Sequence, residues 1–212
     1  MLGFIVALEE ECRFLIKKFI IVKQTYYNSM IIYECSFNAK NFVLIISGVG
    51  RKNAIKATKF ILKTFDINFI INFGSSCGGI NCCIGDIFVV EKAFTINKKN
   101  FFPTHKCINY LSIIKENEKK IIIGNLLTAN KFITKYKDRF FKSTYCIDME
   151  YYNIIKVCKK RNVNTISLKV ITDIVNQNTF NIFSYNLMIN SIKLQLFIIE
   201  NFNIFYAFSE KF

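Results

Sequence analysis

Residues 67–73 form a near-continuous apolar run that empties into Gly74-Ser75-Ser76-Cys77-Gly78-Gly79, and this constrains the fold more than any other feature of the chain. A strand that is apolar on both faces has to be covered on both faces, as central strands of α/β proteins are. Only Asn68 and Asn72 interrupt the run. The segment 74–79 is too rich in glycine for regular structure and reads as a loop at the strand's carboxyl end, where open α/β sheets bind ligands.

The rest of the chain alternates short apolar runs with amphipathic stretches, the pattern of an α/β layer fold. Residues 2–7 read as a buried strand. Leu8, Cys12, Leu15 and Phe19 then fall at helical spacing and give one apolar face. Strands at 30–37 and 42–47 flank the turn-like Asn38-Ala39-Lys40-Asn41, which predicts a hairpin. Residues 51–65 continue as a helix with Ala54, Ala57, Ile61 and Phe65 inward. Further strands are expected at 87–91, 120–124, 146–148 and 165–171, and helices at 149–161 and 184–201. Residues 94–106, which hold the sole Pro and His of the chain, read as a loop. No internal repeat or linker divides the sequence, and 212 residues suffice for one core, so a single domain is expected.

A formal charge of +14 would ordinarily direct attention to nucleic acid or an acidic membrane. Here the lysines are scattered as singles and pairs, and the abundance of Ile, Lys, Asn and Phe is the residue usage of an AT-rich genome. A binding stripe would concentrate its charge, so no nucleic-acid partner is expected. The two longest uncharged stretches are broken by polar residues and argue against a membrane span. Eight cysteines occur without any CxxC pair and beside a lone His105, which disfavours a zinc site and suits free thiols. The opening segment lacks the basic region of a signal peptide, and a cytoplasmic protein is expected.

Polar groups gather where apolar strands end: Glu9-Glu10-Glu11 after the first, the Gly-Ser segment after Phe73, Asp148-Met149-Glu150 after residues 146–148, and Thr172-Asp173 after Ile171. At one edge of a parallel or mixed sheet they would converge. Each has a plain structural alternative. Acids in a first helical turn serve the helix dipole, Thr172-Asp173 can cap a helix, and a Gly-Ser loop without a following Lys-Ser/Thr is no phosphate loop.

Taken together and in order, these segments resemble the methylthioadenosine/S-adenosylhomocysteine nucleosidases of the purine nucleoside phosphorylase superfamily. The resemblance runs through residues 7–11, Ser47-Gly48-Val49-Gly50 with Arg51-Lys52-Asn53-Ala54, residues 71–75 with Gly78-Gly79, Gly85-Asp86-Ile87, Phe132-Ile133, Asp148-Met149-Glu150 and Ile171-Thr172-Asp173. It implies a single domain over 1–212, a three-layer sandwich with a central mixed β-sheet flanked by helices. It also implies an enzyme of nucleoside catabolism and methionine salvage that hydrolyses the N-glycosidic bond of 5′-methylthioadenosine and S-adenosylhomocysteine.

On this resemblance Glu11 activates the attacking water and Asp173 protonates adenine N7 as the base leaves. Glu150 holds the ribose hydroxyls, Met149 packs on the sugar, and Phe132 and Ile133 frame the adenine. Ser75 or Ser76 lines the site; the extra residue in Ser75-Ser76-Cys77 leaves both serines eligible. The chemistry needs neither metal nor organic cofactor, because a ribose that turns cationic and a base that leaves neutral require only two carboxyl groups in opposite protonation states. A homodimer is the implied assembly. Three rivals stay open at this point: a purine nucleoside phosphorylase of the same fold, which would need arginines for phosphate, a divergent relative of low activity, and a basic nucleic-acid-binding protein.

Overall fold

In the computed structural model the described residues are 1–79, 81–95, 98–103, 121–131, 133, 145–175 and 179–211. Ten strands among them form one mixed sheet: β1 Leu2–Val6, β2 Ile20–Tyr27, β3 Met30–Phe37, β4 Lys40–Ile46, β5 Phe69–Gly78, β6 Ile87–Thr95, β7 Lys98–Pro103, β8 Ile121–Thr128, β9 Tyr145–Asp148 and β10 Asn164–Ile174. Strands β5, β10, β6, β8 and β9 pair in a ring, since β10 bonds to both β5 and β6 while β9 bonds to β5. From β5 the sheet extends outward through β1, β4, β3 and β2. β1 and β10 run parallel to β5 on its two sides, as expected of a central strand, and the one polar side chain of 69–73, Asn72, is buried with hydrogen bonds to the Ile5 carbonyl and the Ser167 hydroxyl.

The helices are α1 Arg13–Lys18, α2 Arg51–Thr64, α3 Tyr151–Lys159, α4 Thr179–Glu200 and α5 Phe202–Lys211. Side chains alternate along each strand, so the core divides into two main clusters. Phe4, Phe42, Leu44, Phe69, Ile71 and Phe73 join Leu194 and Phe197 of α4 and Phe202, Phe205 and Phe208 of α5 in one cluster. Ile5, Val43, Ile45 and Ile70 join Ala54, Ala57 and Ile61 of α2 and Ile154 and Ile155 of α3 in the other. Phe202 is fully buried and meets the rings of Phe4, Phe19, Phe37 and Phe42 at 5.1–6.4 Å between centroids. Burying one such ring contributes about 1.5–3 kcal/mol.

The structure revises several sequence expectations. Residues 74–78 are not a loop: β5 runs on to Gly78, because β10 supplies a backbone partner all along it. Thr172 and Asp173 sit inside β10 rather than at a helix N-cap. Most of the expected loop at 94–106 is a strand pair, with β6 reaching Thr95 and β7 following at Lys98; His105 lies outside the described residues. The helix expected from Glu9 divides into a 3₁₀ turn at Glu9–Glu11 and α1, although Cys12, Leu15 and Phe19 are buried as the spacing required. The hairpin at 30–46 forms as expected, but β2 and α5 carried no expectation. No helix among the described residues is long and apolar enough to cross a membrane.

Candidate active site

One cavity of about 200 Å³ is lined by Ala7 and Leu8, which follow β1, by Glu11 of the 3₁₀ turn, by Ser75, Ser76 and Cys77 of β5, and by Asp173 of β10. Ile133, Met149 and Glu150 close it together with Val49, Lys131 and Phe183. Every proposed site residue that is described therefore borders a single space; Phe132 lies outside the described residues.

Glu11 is 4% exposed, and its carboxylate is held at both oxygens. Oε2 accepts hydrogen bonds from the Ala7 and Leu8 backbone N–H groups at 3.2 and 3.0 Å. Oε1 accepts from the Ser75 N–H at 2.7 Å and the Ser75 hydroxyl at 2.6 Å. Glu11 is the third residue of the 3₁₀ turn, and its side chain folds back onto the Leu8 backbone N–H as the acid of a capping box does. Gly74 makes room for it: a Cβ there would lie 2.8 Å from Glu11 Oε1, and its φ of +154° also favours glycine.

Asp173 is 1% exposed. Its Oδ1 accepts from the Thr172 hydroxyl at 2.9 Å, while Oδ2 is buried without a well-directed partner. Burial raises its pKa above the usual carboxylate value, against the lowering effect of the Cys77 thiol and Thr172 hydroxyl beside it. A β-bulge places it. The β5–β10 register pairs Val170 with Ser75 and Ile171 with Ser76, then skips Thr172 and pairs Asp173 with Cys77. Asn186 of α4 donates to the Thr172 carbonyl at 2.9 Å, satisfying an acceptor at the irregularity.

Glu150 follows β9 and accepts from the Gly50 N–H at 2.6 Å and the Met149 N–H at 3.1 Å. Burial, then the charge of Asp148, push its carboxyl up to about 7, opposed by Lys169 and the Gly50 N–H. Beneath it lies a buried ion pair, Lys169 Nζ to Asp148 Oδ2 at 3.0 Å. Asp148 also accepts from the Thr128 hydroxyl at 2.6 Å and the Tyr151 N–H at 2.9 Å. Burial, the largest influence on Lys169, pulls its ammonium down, but Asp148 and then Glu150 outweigh it and leave it raised.

A pair of buried carboxyl groups in contrasting settings, beside a third poised near neutrality, suits acid–base cleavage of a polar bond. The sequence model of the phosphorylase superfamily matches residues 1–200. A 5′-methylthioadenosine/S-adenosylhomocysteine nucleosidase of Buchnera aphidicola subsp. Schizaphis graminum is 30% identical over 216 residues, covering 91% of this chain and 92% of the relative. The chain belongs to this nucleosidase family of the phosphorylase superfamily. Its fold is shared by the Neisseria meningitidis nucleosidase in complex with methylthio-immucillin-A, at TM-score 0.81 and 19% identity, covering 90% of this chain and 93% of that one. The native futalosine hydrolase of Helicobacter pylori has the same fold at TM-score 0.80 and 17% identity, covering 90% and 91%.

In this member of the nucleosidase family, sequence reasoning missed Lys169, Cys77, Lys131 and Phe183 around the site. Lys169 carried a usable signal, because a single charge inside the apolar run Leu168-Lys169-Val170-Ile171 needs a buried partner. Cys77 and Lys131 were signalled only by their neighbours, the segment 74–79 and Phe132-Ile133, and Phe183 carried no signal, since only the folded chain brings it to the cavity. The structure also separates the two eligible serines: both line the cavity, but Ser75 bonds to Glu11 while the Ser76 hydroxyl is buried without a well-directed partner.

Proposed function

We propose that the chain hydrolyses the N-glycosidic bond of 5′-methylthioadenosine and S-adenosylhomocysteine, releasing adenine and the 5-thio-substituted ribose. The observation that carries this reading is the pair Glu11 and Asp173 on one cavity, the first held by four donors and the second buried with a raised pKa. Four donors suit an ionised carboxylate. Glu11 takes the proton of a water whose oxygen bonds to C1′. The C1′–N9 bond breaks as Asp173 gives its proton to N7, so adenine departs neutral. Glu150 accepts from the ribose hydroxyls, Met149 packs on the sugar, Ile133 and Phe132 frame the base, and Ser75 orients Glu11 while Ser76 lines the wall.

Hydrolysis is favoured over phosphorolysis because no arginine among the described residues lines the cavity, whereas carboxyl groups that would repel phosphate do. Purified protein should release adenine from 5′-methylthioadenosine at the same rate with and without phosphate. Strict phosphate dependence would refute the hydrolase reading. Because a futalosine hydrolase shares the fold, futalosine belongs in the substrate panel.

The same reading takes residues 1–212 as one domain, a three-layer sandwich supported by the two core clusters. It places the enzyme in the cytoplasm, in methionine salvage, where the seven free thiols described suit a reducing milieu. Its assembly is a homodimer, supported by the exposed stripe of Tyr185, Met188, Ile189, Ile192 and Leu196 along α4.

A further inference from the structure

We infer that Cys77 is a positioning residue for Asp173, its thiol donating to the carboxylate that Asp173 becomes once it has given up its proton. The inference rests on the reading of Asp173 as the acid. Its basis is the bulge: skipping Thr172 sets Asp173 directly across from Cys77 instead of Gly78, and both side chains line the cavity. The carboxyl is almost wholly buried, and only one of its oxygens has a well-directed donor, the Thr172 hydroxyl. The hydrogen bond that the thiol makes in the structure is a long one, 3.8 Å to the Gly78 carbonyl, and the neighbouring Asp173 Oδ2 is buried without a partner among the described residues, so the charge created by proton transfer draws the thiol from the weaker acceptor to the stronger.

A donor must keep its hydrogen. Burial, then the Asp173 charge, push the Cys77 thiol far above its usual range, so it remains S–H throughout the working pH. The other titratable groups around this pair are the thiols of Cys82 and Cys146, toward Cys77, and the charged groups of the cavity. The latter are Glu11 from the 3₁₀ turn, Asp148 and Glu150 at and after β9, Lys131 after β8, and Lys169 of β10 behind Asp148. Asn186 and Phe183 of α4 add no charge. None of these groups lies across the strand pair from Asp173 as Cys77 does.

A hydroxyl is a stronger donor than a thiol, and a methyl group donates nothing. Asp173 should therefore hold its proton least in Cys77→Ser and most in Cys77→Ala, with the wild type between. The test is a ¹³C-carboxyl NMR titration of the full chain, with the Asp173 signal assigned by its loss in Asp173→Asn, beside the pH profile of kcat/KM for adenine release. Cys77→Ala is expected to lower kcat about threefold to tenfold, Cys77→Ser to retain more activity, and the Asp173 titration to follow the order Ser, Cys, Ala. Thermal melts identify any variant that does not fold, and the remaining variant still fixes one side of the order. Titration midpoints that coincide, or that move the same way in both variants, overturn the role of Cys77. Undiminished adenine release by Asp173→Asn overturns instead the acid assignment beneath it, a separate result.

Discussion

Gly74 and Glu11 have to be considered as a pair, because the carboxylate of Glu11 is held against the place where a side chain on residue 74 would begin. Gly74→Ala would bring a Cβ within 2.8 Å of Glu11 Oε1 at a φ of +154°. We expect adenine release to fall at least about tenfold and stability by about 1–3 kcal/mol, read from initial rates and chemical denaturation. Lys169 poses the opposite problem, a charge that cannot be left alone. Lys169→Met strands Asp148 without its ion pair at a fully buried position, which should cost about 3–5 kcal/mol. Adding Asp148→Asn should recover much of that loss in a denaturation experiment, since the uncompensated charge is then gone. Additive losses in the double variant would show that the pair is not energetically coupled.

At the scale of elements, the site depends on one irregular residue in β10 and the helix that packs against it. The bulge at Thr172 is held in part by Asn186 of α4. Asn186→Ala should cost about 1 kcal/mol in stability and lower kcat more than it raises KM, because Asp173 rather than substrate contact is disturbed. Equal effects on both constants would contradict this. In the proposed homodimer the exposed apolar stripe of the same helix is the contact with the second subunit. Met188→Asp with Ile192→Asp should turn a dimer into a monomer in light scattering at micromolar concentration, whereas an unchanged mass would exclude this stripe as the contact.

For the whole molecule, Glu150 links stability to pH. Its folded pKa, pushed up to about 7 by burial and by Asp148, stands above the ordinary value of 4.5 for a glutamate carboxyl. A carboxyl raised on folding contributes stability that is fully present below about 4.5 and is lost as pH rises through about 7. Glu150→Gln should therefore lose less stability than the wild type between pH 5 and pH 8, by roughly 2 kcal/mol, in denaturation at the two pH values. An identical pH dependence would contradict the raised value. Because the ionised form is the one proposed to accept from a ribose diol, the wild-type KM should also rise as pH falls below 7.

The order of apolar and amphipathic segments was enough to determine a mixed α/β fold, the hairpin at 30–46 and the inward faces of α1 and α2, because burial periodicity is local and survives in one dimension. Glu11, Ser75, Ser76, Glu150 and Asp173 were visible as polar groups at the ends of apolar runs, Met149 and Ile133 were singled out only by the family resemblance, and all seven border one cavity. Only the tertiary structure decided that residues 74–78 are strand and that Asp173 lies opposite Cys77, since a ladder partner nearly a hundred residues away overrides the preference of glycine for loops. It likewise decided the Lys169–Asp148 pair and the divided helix after Glu9. Hydrogen bonds and charges of that kind join residues by distance in space, and no spacing along the chain records them.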